Sequence, residues 1–107
     1  MQKLEKFPVQ VIVCGNDTIN IKKLLEILKK KGIKNILVEG GGITNWGFGK
    51  ENLVDEAIIT ITPYLVGGMT ATTLVDGDGF STIAKSIRLK LKNVTKIKNE
   101  VILHYEN

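Results

Sequence analysis

Three consecutive glycines, Gly40-Gly41-Gly42, follow directly on the apolar run Ile36 to Val38 and the acid Glu39. A short run of aliphatic residues reads as a buried strand, and glycines in series end it in a sharp turn that no side chain crowds. Ile43 to about Lys50 can continue as a short helix, although Gly47 and Gly49 weaken it. At such a turn the first amides of the helix point outward, and its dipole favours negative charge there. The stretch therefore suits a phosphate group. A tight strand-to-helix turn that holds no ligand satisfies the same local pattern.

On either side of the glycines the hydrophobic pattern alternates between strand and helix. Val9 to Val13 is β-branched and nearly all apolar, as expected of a strand covered on both faces. Ile21, Leu24, Leu25 and Leu28 recur at helical spacing, with Lys22, Lys23, Glu26 and Lys30 opposite. Asn20 is a suitable N-cap, Ile19 and Leu24 can form a hydrophobic staple, and Gly32 ends the helix. Ala57 to Thr62 predicts a third strand. Strand, helix, strand, short helix, strand is a βαβαβ order, which predicts parallel pairing with right-handed crossovers. Beyond Pro63 the chain is punctuated by glycine, and Ile87 to Tyr105 reads as an antiparallel hairpin turning near Lys98-Asn99-Glu100. The class is α/β with a partly parallel, mixed sheet and a C-terminal antiparallel hairpin. Met1 to Pro8 reads as a lead-in.

A chain of 107 residues is expected to form one domain. No apolar run approaches membrane-spanning length, and the first residues lack the apolar segment of a secretory signal. The single cysteine, Cys14, cannot form an internal disulfide and lies in an apolar run, so a small buried hydrophobe is its expected role. A cytoplasmic location is the expectation. The only histidine, His104, lies in another alternating apolar stretch, which argues against a Cys-His nucleophile, and no cluster has metal-ligand spacing. The net charge of +4 is spread over many lysines. Lys29-Lys30-Lys31 meets the negative end of a helix dipole, and no aromatic interleaving supports nucleic-acid stacking.

Two familiar glycine motifs are excluded. A P-loop requires a closing Gly-Lys-Ser/Thr, which is absent here. A dinucleotide fingerprint reading Gly40-x-Gly42 would need glycine at position 45, which is asparagine, and no acid ends the following strand. Four segments in order carry a different pattern. They are Val38-Glu39-Gly40-Gly41-Gly42, Leu53-Val54-Asp55-Glu56, Pro63-Tyr64-Leu65-Val66-Gly67-Gly68 and Asp76-Gly77-Asp78-Gly79-Phe80. Together they resemble the C-terminal part of the riboflavin-biosynthesis reductases over roughly residues 9–105, and are most similar to the stand-alone archaeal type.

That resemblance implies a three-layer, dihydrofolate-reductase-like fold and a cytoplasmic, homodimeric oxidoreductase. It implies NADPH as cofactor and a phosphorylated pyrimidine as substrate, whose ribosylamino group is reduced to ribitylamino. It places Gly41, Gly42, Ile43 and Thr44 around the cofactor diphosphate, and Ile19 against the adenine. The hydrophobic staple explains Ile19 more simply. Glu39 would face the substrate, or else would hydrogen-bond the bare amides of its own turn. Gly42→Asp is expected to abolish cofactor binding. No catalytic residue is assigned. Asp55 and Glu56, adjacent on a strand, point to opposite faces and suit a structural or interface role, and Trp46 suits packing. The family's domain is about twice this length, and its N-terminal half, with a Ser-x-Asp-Gly-type segment, has no counterpart here. The chain is thus expected to be a C-terminal portion whose activity alone is doubtful. A non-catalytic nucleotide- or phosphometabolite-binding module, or an oligomerising fragment, is the alternative.

Overall fold

The computed structural model describes Leu4 and residues 6–107, so part of the lead-in expected over residues 1–8 lies outside the described residues. The chain divides into two compact units, residues 1–37 and 38–107.

The first unit is built on α1 (Ile21–Lys30), which forms as its pattern dictates. The Asn20 side chain accepts from the Lys23 amide at 3.0 Å and caps the N-terminus. Ile21, Leu24, Leu25 and Leu28 are half-buried while the lysines are exposed. The last carbonyls are closed by Gly32 donating to Lys29 and Ile33 donating to Leu28, at 2.9 and 3.1 Å. This paired closure needs a left-handed residue, and Gly32 supplies it at φ +83°. The strand expected over Val9 to Val13 does not form a ladder. Val9, Val11 and Val13 are exposed, Ile12 is half-buried and Cys14 is buried, so one side of the segment is covered rather than two. Ile36 and Leu37 likewise lie in no ladder and are exposed. A strand persists only where its amides and carbonyls find a neighbouring strand, and among the described residues neither segment has one.

The second unit holds α2 (Gly42–Lys50) and a sheet of β1 (Glu56–Ile61), β2 (Lys90–Ile97) and β3 (Glu100–Glu106), with one 3-10 turn at Ile83–Lys85. The strand order is β1-β3-β2, and both ladders are antiparallel. The parallel pairing expected for residues 57–62 is therefore replaced by antiparallel pairing to the C-terminal strand, Glu56 opposite Glu106 through Ile61 opposite Val101. The hairpin expected at the C-terminus is present. It turns on Lys98 and Asn99, with Ile97 opposite Glu100, and Lys98 takes φ +52°. Two polar links tie β1 into the sheet. The Asn107 amide donates to the Asp55 carbonyl at 2.9 Å, and His104 Nε2 lies 2.5 Å from Glu56 Oε2 across the ladder. Of the two adjacent acids, Glu56 makes its link through its carboxylate and Asp55 through its main-chain carbonyl.

Candidate functional site: the glycine turn and the start of α2

Gly40 bends the chain at φ +87°, a conformation that suits glycine, and the Gly40–Gly41 peptide is cis. Gly41 then caps α2 without any side-chain bond, and its carbonyl accepts the first helical hydrogen bond from the Asn45 amide at 2.9 Å. The amides of Gly42, Ile43 and Thr44 precede that bond and have no acceptor within the helix. Ile43 and Thr44 are exposed, and Gly42 is buried.

The two central glycines are not equivalent. A Cβ on Gly41 would meet nothing within 4 Å, so the backbone is open on that side. A Cβ on Gly42 would collide with the Asp76 carboxylate. Asp76 is held there by its own amide, which donates to the Gly42 carbonyl at 3.1 Å, and by a short bond from the Thr73 hydroxyl. Asn45 Nδ2 donates to the Leu74 carbonyl at 2.8 Å. Gly77 lies so close to the Trp46 indole that any side chain there would strike it. Phe80 completes the contact, its ring centroid 5.1 Å from that of Trp46 in an edge-to-face arrangement. Residues 73–80 are thus laid along the first turns of α2.

Gly41, Gly42, Ile43 and Thr44 form the cap and first residues of α2, and Glu39 stands exposed just ahead of the turn. Ile19 belongs to the first unit, where it directly precedes the Asn20 cap and is 66% exposed. The segment that buttresses the turn was missed. Asp76 to Phe80 reads in sequence as a mere turn, and the only available signal was the tight run of acids and glycines ending in an aromatic. Trp46 packs on protein, as expected. Two shallow surface depressions lie elsewhere. One, of about 360 Å³, is lined by Lys50, Lys85 and Arg88 among others, and one, of about 420 Å³, by Pro63 to Tyr64 and Ile97 to Glu100. None of the expected site residues lines either.

A glycine turn that opens a helix, buttressed from one side and bare on the other, presents helical amides that an anion can reach. The chain belongs to the RibD C-terminal domain family, whose family model matches residues 1–103. Among relatives, it is 38% identical over 96 residues to the 2,5-diamino-6-ribosylamino-4(3H)-pyrimidinone 5′-phosphate reductase of Methanothermobacter thermautotrophicus. That match covers 90% of this chain and 44% of the relative. It is 34% identical over 106 residues to the protein of the same description from Aquifex aeolicus, covering 99% of this chain and 47% of the other. In structure it is similar to Acinetobacter baumannii RibD, with a TM-score of 0.72 at 29% identity, over 85% of this chain and 25% of that one. The chain thus spans somewhat less than half the length of the curated reductases it matches.

Proposed function

We propose that this chain carries the cofactor-diphosphate cradle of an NADPH-dependent reductase. On this reading the enzyme converts the ribosylamino group of a pyrimidine 5′-phosphate to ribitylamino in riboflavin biosynthesis. The observation that carries this reading is the turn at Gly40 to Gly42. Its Gly41 side is unobstructed, and it leads into helical amides without intrahelical acceptors. An anion of diphosphate size can approach the backbone from that side and accept from Gly42, Ile43 and Thr44 amides and the Thr44 hydroxyl. When bound, the reduced nicotinamide supplies the hydride. The residues of this chain supply position and charge complementarity. Asp76 closes the Gly42 side of the cradle, which restricts the ligand to the Gly41 face. Glu39, at the entrance to the turn, is the residue we assign to the substrate. In the complete three-layer domain, residues 9–13 and 36–38 would gain strand partners that they lack here. The name of the relatives supports the substrate, and the enzyme form would be a homodimer that covers exposed apolar residues such as Leu65, Val66 and Met69.

Calorimetric titration with NADPH tests the cradle. Binding that Gly41→Ala weakens at least about tenfold, with the circular dichroism spectrum unchanged, supports it, because Gly41 has a backbone conformation (φ −65°, ψ −167°) that alanine accepts. Equal affinity in the two proteins removes the assignment. Oxidation of NADPH on adding the pyrimidine substrate would separate a reductase from a module that only binds nucleotide.

A further inference from the structure

The depression of about 360 Å³ at the far end of α2 has a chemistry of its own. Lys50, Lys85 and Arg88 line it, and among the described residues no carboxylate does. Each cation comes from a different piece of structure. Lys50 is the last residue of α2, Lys85 the last of the 3-10 turn, and Arg88 lies in the chain that leads into β2. Lys50 meets the negative end of its helix, an ordinary place for a lysine. That reason does not extend to Lys85 and Arg88, which follow no long helix. Their backbone is nevertheless held in place. The Lys85 amide donates to the Thr82 carbonyl at 3.1 Å, and the Ser86 hydroxyl donates to the Ile83 carbonyl at 2.6 Å. Ile87, half-buried, seats the segment on α2, since a Cβ on Gly49 would lie 3.8 Å from Ile87 Cδ1. Asn52, also in the lining, accepts from Asn107 Nδ2 at 3.0 Å through its oxygen, which leaves the protons of Asn52 Nδ2 to donate. Three positive charges and an amide are thus gathered where only an anion would offset their mutual repulsion.

The geometry points to this depression as a second anion site, which takes a phosphate monoester carrying a planar ring, of mononucleotide size. Arg88 can grip two phosphate oxygens with its guanidinium fork, and the lysines add point charges. Phe80 lines the same depression and is 40% exposed, so part of its ring is open to a ligand ring while another part contacts Trp46. The volume is that of a small-molecule site at the lower end of the usual range. Lys50 lies about 12 Å along α2 from Gly42, so the depression is no extension of the glycine turn. It rests on different residues and stands whether or not that turn holds a diphosphate. Phe80 also gives the site a reporter, because an occupant that touches its ring alters the surroundings of Trp46, the only tryptophan.

The test is titration of the 107-residue chain with AMP at low salt, followed by calorimetry and by Trp46 emission. The expected result is saturable binding with a dissociation constant below about 1 mM and a change in emission that saturates with it. Inorganic phosphate should bind at least about tenfold more weakly, and adenosine should not bind. The double variant Lys85→Gln, Arg88→Gln, with an unchanged circular dichroism spectrum, should weaken AMP at least about tenfold. Lys96→Gln, which removes an exposed charge on β2 outside the depression, should leave it unaltered. Gly41→Ala should also leave it unaltered, which separates this site from the glycine turn. Absence of AMP binding overturns the proposal, as does equal weakening by Lys96→Gln, which would mean attraction by net charge alone. Loss of AMP binding in Gly41→Ala overturns it too, because the nucleotide would then occupy the turn. Phosphate binding as tightly as AMP would overturn the part given to Phe80.

Discussion

At Gly42 the volume that any side chain needs is taken by Asp76, whereas one residue earlier the same volume is free. This contrast separates two effects that a glycine-rich motif confounds. Gly42→Ala should lower stability by about 1–3 kcal/mol through overpacking, measured by urea denaturation. Replacing Asp76 by glycine in the same chain should recover much of that loss, since the two positions are in contact and their effects are not additive. For the same reason, Gly42→Asp would displace Asp76 as well as oppose the ligand, so Gly41 is the cleaner probe of binding. Asp76 itself acts in two directions. Its carboxylate beside the first residue of α2 complements the helix dipole, so Asp76→Asn should cost about 0.3–1 kcal/mol of stability. The same change removes a negative charge next to the proposed diphosphate and should tighten NADPH binding, most clearly at low salt. Tighter binding with lower stability is the expected pair of readings.

The two helices hold together for opposite reasons. α1 is self-consistent, with a capped start, an amphipathic middle and a glycine-closed end, so removing one local device should have its usual local cost. Asn20→Ala is expected to lower the denaturation free energy by about 1 kcal/mol. α2 includes three glycines in nine residues and has no apolar stripe of its own. It is held from outside by residues 73–80, through the Asn45–Leu74 bond and the Trp46–Phe80 contact. Asn45→Ala should release that segment, at a cost of about 1 kcal/mol. The emission of Trp46, the only tryptophan, should shift to the red as its ring gains water. An unshifted spectrum would mean that the segment is held by other contacts.

Across the whole molecule the striking shortage is of interior. Among the described residues Cys14 is the one buried hydrophobic side chain, while Leu65, Val66, Met69 and Ile83 are almost wholly exposed. A chain this short is stable only if it removes most of its apolar surface from water. Alone, the chain is therefore expected to unfold over a broad denaturant range and to bind an apolar fluorescent dye. Adding the complementary portion of a relative should sharpen the transition and reduce dye binding. Sedimentation at micromolar concentration tests the proposed homodimer, and a monomer there contradicts it. The sequence pattern over-read this surface. Val9 to Val13 and Ile36 to Val38 have the composition of strands covered on both sides, but composition records what a segment is suited to bury. It does not record whether a neighbour is at hand.

What the sequence by itself determined are the features set within a few residues. These are α1 with both its ends, the turn at three glycines, the start of α2, and the C-terminal hairpin. Each depends on periodicity, capping and backbone freedom, which act over one or two helical turns. Tertiary structure alone decided that β1 joins the hairpin antiparallel, some forty residues away, and that Asp76 and Phe80 fold back onto α2. Such choices turn on which distant surfaces fit one another, and neither a strand's period nor a glycine's freedom carries that information.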